Sequence, residues 1–158
     1  MIFAVENNTY ATYSHQNKRQ ATADIYLRGE SFGIASYRVD GNDAKEVYKV
    51  AELSLKRARE GKGPTLIEFL TYRFRDHVGP SSDLEVGYRT KEEVDAWILK
   101  CPIEKIKNEL FMQGDLTVSE NEEFEKQLEK ELVTAFTFAR QSPFPAPSEI
   151  YSDIYARN

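Results

Sequence analysis

Apolar residues change their spacing several times along the chain, and each change predicts a different element. Ile2 to Val5 form an unbroken apolar run, which suits a short strand covered on both faces. Residues 9–21 are polar with scattered tyrosines and read as loop. Ala23 to Phe32 predicts a short helix stopped by Gly33. Ile34 to Val39 reads as a strand, closed by the turn Asp40-Gly41-Asn42. Asp43 with Glu46 forms a capping-box signature, after which Ala44, Val47, Tyr48, Ala51, Leu55 and Ala58 share one helical face. Gly61 ends this helix and Gly63-Pro64 forbids its resumption. Thr65 to Thr71 (TLIEFLT) is a further strand, so 34–71 reads strand, helix, strand with parallel pairing.

Tyr72 to Arg89 is a polar loop, longer than the roughly 12–15 residues above which loops in compact domains are usually functional or disordered. Three helices follow. The first opens at a Thr90/Glu93 capping box and carries Val94, Trp97 and Ile98. The second begins at Pro102, with Ile103, Ile106, Leu110 and Phe111 on one face. The third opens at Thr117/Glu120 and carries a long stripe: Phe124, Leu128, Leu132, Ala135, Phe136 and Ala139. All these stripes read as core. The proline-spaced segment QSPFPAPSEIYSDIY breaks the last helix, and its Ile150, Tyr151, Ile154 and Tyr155 are expected to sit on a neighbour. The architecture predicted is α/β at the front and helical at the back, with residues 1–89 forming the α/β part and 90–158 the helical region and aromatic tail. An apolar strand at residue 2 needs neighbours on both sides, so further polypeptide is expected upstream of it.

Length and charge narrow the classes. The 158 residues suit one domain, or one domain with a helical appendage. A net charge of −5 and the lack of a basic run argue against nucleic acid as a main partner. No stretch approaches the roughly 20 apolar residues of a membrane span. The single Cys101 makes no internal disulfide, and residues 1–15 lack the order of a secretory signal, so the cytoplasm is the expected compartment.

Two stretches carry candidate chemistry. Asn8 follows the first strand, and ligands in open parallel sheets bind outside the carboxyl ends of strands. Its amide oxygen is a neutral hard ligand suited to Mg²⁺ or Ca²⁺; the competing reading is a plain Asx turn. His77 lies in the long loop among Arg73, Arg75 and Asp76, where it suits acid–base work or an anion contact, or is simply an exposed loop histidine. Arg73 and Arg75 suit a phosphate or carboxylate, or form a surface charge pair. Cys101, beside a proline between helices, reads as structural.

Taken in order, VENNTYATYS (5–14), YRVDGND (37–43), GKGPTLIEFLTYRFRDH (61–77) and GYRTKEEV (87–94) resemble the alpha subunit of thiamine-diphosphate-dependent 2-oxo acid dehydrogenases, which act on pyruvate, branched-chain 2-oxo acids or acetoin. The resemblance covers nearly the whole chain, but only the C-terminal half of a typical member. It implies a partial thiamine-diphosphate-binding fold, a parallel sheet flanked by helices. It implies that the Asn8 side-chain oxygen and the Tyr10 backbone carbonyl hold Mg²⁺ against the cofactor diphosphate. The third protein ligand would be the aspartate of a Gly-Asp-Gly motif, which these 158 residues do not contain. It is expected from a missing N-terminal half or a separate chain. His77 matches a histidine near the cofactor's reactive end. A beta subunit would supply the glutamate that activates the cofactor in an α₂β₂ assembly, and a lipoyl acyltransferase would accept the acyl group. Val78 stands where mammalian members carry a regulatory serine, so phosphorylation there is not implied. Two other readings compete: a non-catalytic subunit-interaction module that has lost its cofactor, and a different thiamine-fold enzyme, which should not carry TYR…H…GYRT.

Overall fold

The computed structural model describes residues 1–156 and divides into two compact units, Met1–Glu109 and Leu110–Asn158. The first unit is α/β. Its sheet has three parallel strands in the order β1 (Ile2–Asn7), β5 (Thr65–Leu70), β4 (Ala35–Asp40). The register is flush: Ile2, Thr65 and Ala35 start together, and Asn7, Leu70 and Asp40 finish together. The βαβ unit is β4, α2 (Ala44–Arg59) and β5, and it forms because a period-2 run, a period-3.6 run and an apolar run are separated by glycine turns. β5 is the central strand and holds the core, with Thr65, Ile67 and Glu68 fully enclosed.

α1 (Tyr26–Ser31) lies on the face bearing Ser36, Leu66 and Glu68. Gly29 permits that approach, since a Cβ there would stand 2.2 Å from Ser36 Oγ and 3.1 Å from Leu66 Cβ. α2 contacts all three strands. Gly41, just after β4, donates its amide to Leu70 O at 2.7 Å, and a Cβ there would come within 2.8 Å of the same oxygen. Asn42 is buried beside it. Its Nδ2 donates to Lys100 O at 3.1 Å and its Oδ1 accepts the Thr71 hydroxyl at 2.9 Å. The ends of β4 and β5 are thereby tied to the residues after α3 (Lys91–Ile98).

Several expectations change. Among the described residues β1 pairs with β5 alone, and Phe3 and Ala4 are exposed where a strand covered on both faces was expected. Residues 9–21 are not simple loop. β2 (Tyr10–Ala11) and β3 (Ser14–His15) form a hairpin, followed by a 3-10 turn at Gln16–Lys18. α2 presents a rotated face: Val50 and Ser54 are buried, while Ala44, Tyr48 and Leu55 point outward. Ser54 is tolerated inside because its hydroxyl donates to Val50 O at 2.7 Å. Asp43 does cap α2, accepting from the amides of Lys45 and Glu46. Thr90 likewise caps α3 by accepting the Glu93 amide, but the Glu93 carboxylate is used elsewhere, as described below. α4 (Pro102–Gln113) spans the boundary between the units, and its Ile103 is exposed rather than core.

In the second unit α5 (Val118–Gln141) opens with a full capping box between Thr117 and Glu120. The stripe of Phe124, Leu128, Leu132 and Phe136 is exposed along this chain, not buried. A 3-10 turn at Pro147–Tyr151 follows, and Ile150, Tyr151, Ile154 and Tyr155 are exposed. No helix among the described residues is long and apolar enough to cross a membrane.

Candidate functional site

Because the three strands finish in register, the segments leaving them emerge along one carboxyl edge of the sheet. Asn8 follows β1, and the 72–89 loop follows β5. The two adjacent amides at the end of β1 do different things. Asn7 is buried, and both of its amide hydrogens are used. Nδ2 donates to Glu68 Oε1 at 2.6 Å and to Gln16 Oε1 at 3.1 Å, and Oδ1 accepts the Thr9 amide at 3.0 Å. Glu68 is enclosed, and its other oxygen accepts the Tyr26 amide at 3.0 Å. Asn8 is half-buried, and its Oδ1 accepts a single hydrogen bond, from the Tyr10 amide at 3.0 Å. An amide oxygen has two acceptor directions, so one direction remains for a cation. Asn8 therefore forms the Asx turn and still fits a hard metal ion as a neutral oxygen ligand. Among the described residues no three His, Cys, Asp or Glu side chains gather as a metal site. A cation at Asn8 would need its negative oxygens from elsewhere.

The turn after Asn8 is strained. Thr9 and Thr12 hold φ of 66° and 53°, a region costly for a β-branched residue. Thr9 is pinned from both sides, by Asn7 Oδ1 on its amide and by the Gln16 amide on its carbonyl at 2.7 Å. These hydrogen bonds, which outweigh the strain, keep Asn8 and the Tyr10 backbone at the strand end.

Tyr10 points its ring into an aromatic cluster. Its hydroxyl donates to Glu93 at 2.8 and 3.1 Å to the two carboxylate oxygens, and the Tyr72 hydroxyl donates to the same carboxylate at 2.9 Å. Tyr72 stacks on Trp97 with ring centroids 5.2 Å apart. Burial, reinforced by the Glu93 carboxylate, pushes the Tyr72 hydroxyl up to about 12 and raises that of Tyr10 further. Both phenols are therefore protonated donors at neutral pH.

The 72–89 loop is organised around Asp83 and Arg89, both buried. Arg89 donates from Nε to Asp83 Oδ1 at 2.8 Å and reaches the carbonyls of Arg73 and Arg75 at 2.5 and 3.1 Å. The Tyr88 hydroxyl donates to Asp83 and accepts from Arg73 Nη2 at 2.7 Å. Burial alone would raise the Asp83 carboxyl, but the hydrogen bonds from Tyr88 and Arg89 outweigh it and hold the group below the usual carboxylate range. Arg73 reaches back toward the hairpin, donating to Thr12 O at 3.3 Å, and stands 3.3 Å from His77 Nδ1. A guanidinium only donates, so in this contact Nδ1 can serve only as the acceptor. His77 itself is exposed.

The structure thus sets Asn8, Tyr10 and the His77 loop at one edge, with Arg73 linking the last to the hairpin. Arg75 is exposed and gives its carbonyl, not its charge, to the network. Sequence reasoning missed Asn7, Glu68, Asp83, Arg89 and Glu93. Glu68 left a readable signal, a carboxylate interrupting the apolar strand TLIEFLT, and Glu93 was readable only as a cap residue.

The family model described as dehydrogenase E1 component matches residues 1–148. The chain is 35% identical over 158 residues to a pyruvate dehydrogenase E1 component subunit alpha of Porphyra purpurea, covering all of this chain and 45% of that protein. A protein of the same description from Rhizobium meliloti (strain 1021) is 37% identical over 155 residues, covering 98% of this chain and 44% of its own length. The mitochondrial 2-oxoisovalerate dehydrogenase subunit alpha of Macaca fascicularis is 35% identical, with 98% and 35% covered. The chain spans less than half the length of these curated relatives. It belongs to the dehydrogenase E1 component family.

Proposed function

We propose that this chain supplies part of the cofactor site of a thiamine-diphosphate-dependent 2-oxo acid dehydrogenase, as the C-terminal portion of an alpha subunit. The observation that carries the reading is the contrast at the end of β1: Asn7 is buried with both amide hydrogens spent on the fold, while the half-buried Asn8 keeps an acceptor direction open at the carboxyl edge of a parallel sheet. Asn8 Oδ1 and the Tyr10 carbonyl would hold Mg²⁺, and the metal's carboxylate ligand would come from polypeptide outside these 158 residues. When bound, thiamine diphosphate supplies the nucleophile and the electron sink for decarboxylation. His77 would stand near that site as an acid–base group for the reacting atoms, with Arg73 beside its Nδ1. A beta subunit would complete an α₂β₂ assembly, with a lipoyl carrier as acyl acceptor.

A second reading, a subunit-interaction module without cofactor, is favoured by the Asx turn that already occupies one side of the Asn8 oxygen. Activity decides between them. The chain is combined with an N-terminal alpha segment bearing Gly-Asp-Gly and with a beta chain, and 2-oxo acid decarboxylation is followed with and without thiamine diphosphate. The enzyme reading expects cofactor-dependent turnover, slowed by His77→Ala with cofactor binding retained. No turnover from an assembled complex supports the interaction module.

A further inference from the structure

We infer that Glu93 is a positioning residue that couples the Asn8–Tyr10 segment to the 72–89 loop. One carboxylate accepts from two hydroxyls that belong to different functional segments: Tyr10, two residues beyond Asn8, and Tyr72, the first residue of the loop. Glu93 sits on the first turn of α3, held by the Thr90 cap. The shared acceptor is thus mounted on a rigid element rather than on either segment. Around it the packing is continuous. Tyr10 meets Tyr72 and Tyr88 edge-on, and Arg89 lies 5.3 Å over the Tyr72 ring. Arg89 in turn holds Asp83 and the carbonyls of Arg73 and Arg75, so the order of the loop passes back through Tyr72 to Glu93.

The consequence is reciprocal. If moving Tyr10 loosens Glu93, and hence Tyr72, then moving Tyr72 loosens Tyr10 by the same free energy. A ligand that orders one segment would order the other. That consequence for a cofactor rests on the reading proposed above, whereas the coupling itself belongs to this chain and is testable without cofactor or partner.

The test is site-resolved hydrogen exchange on the whole chain. Tyr10→Phe and Tyr72→Phe keep the rings and remove only the hydroxyls. The reporters are the Asp76, Val86 and Gly87 amides in the loop and the Tyr10 and Gln16 amides in the hairpin segment. Tyr10→Phe is expected to speed exchange of the loop reporters about three- to tenfold, the range set by one ordinary hydrogen bond, and Tyr72→Phe to do the same for the hairpin reporters. Both cross effects should vanish in a Glu93→Ala background, and Glu93→Gln, which keeps one acceptor oxygen, should restore part of them. Cross effects that are absent in the native background, or that persist without the Glu93 carboxylate, overturn the inference. If Glu93→Ala does not fold, the Tyr10→Phe/Tyr72→Phe double variant decides. A shared acceptor gives an increase smaller than the product of the single increases, and an increase equal to that product refutes it. None of these outcomes bears on whether the chain binds a cofactor.

Discussion

The Asn8 side-chain oxygen accepts the Tyr10 backbone amide at 3.0 Å, closing a turn whose two ends are the proposed metal ligands. The bond presets the spacing between the Asn8 oxygen and the Tyr10 backbone before any ion arrives. Preorganisation of this kind lowers the ordering cost of binding. It also explains why two amides stand side by side, since Asn7 fixes the base of the turn and Asn8 closes its mouth.

Glu68 holds that base. Replacing it with alanine removes the acceptor of one Asn7 Nδ2 hydrogen at a buried position and that of the Tyr26 amide at a half-buried one. Each unsatisfied donor costs about 1–3 kcal/mol, so Glu68→Ala is expected to destabilise the chain by about 2–4 kcal/mol in urea unfolding. Loss of less than about 1 kcal/mol would show that water replaces the carboxylate.

Asp83 makes the loop sensitive to acid. Asp83→Asn leaves the Arg89 guanidinium buried without its counter-charge, and truncation of such pairs costs about 3–5 kcal/mol unless the loop opens first. Because the Asp83 carboxyl is held below its unfolded value, the stability it contributes is complete above the unfolded pKa of about 3.9. It is lost as pH falls from there through the lower folded value. Protection of the loop amides, measured against their intrinsic exchange rates, is expected to fall through that window in the native chain and to be already low, and independent of pH, in Asp83→Asn. A native loop indifferent to acid would contradict this.

Thr12 offers the opposite change. It takes the first position of the two-residue turn between β2 and β3 with φ of 53°, where glycine is the favoured residue. Thr12→Gly is expected to raise stability by about 0.5–1 kcal/mol, net of the entropy glycine adds to the unfolded chain. A loss of stability on calorimetric melting would mean that the Thr12 side chain makes contacts worth more than the strain.

The unit β4, α2, β5 was legible because its periodicities are clear and glycines punctuate them. The face of α2 was misjudged because Tyr48 and Leu55 weigh as apolar, whereas the small, internally bonded Ser54 is what fits against the sheet. The exposure of Phe3 and Ala4 could not be read, since an apolar run does not state what covers its faces. Glu93 was legible as a cap residue, and its amide is indeed capped, but its carboxylate answers to tyrosines 21 and 83 residues away. Local patterns carry no record of such distant partners. The Asp83–Arg89 pair was hidden for a related reason: in a polar loop, buried and surface charges look alike until the backbone closes around them.

The central claim, that Asn8 ligates the metal of a thiamine diphosphate site, is tested most directly by calorimetric titration. Thiamine diphosphate is added, with and without Mg²⁺, to the assembly of this chain with a Gly-Asp-Gly-bearing alpha segment and a beta chain. The account predicts Mg²⁺-dependent binding that Asn8→Ala weakens at least about tenfold, the loss expected even for groups that merely support a metal ligand. Equal affinity for the native and Asn8→Ala assemblies would contradict it.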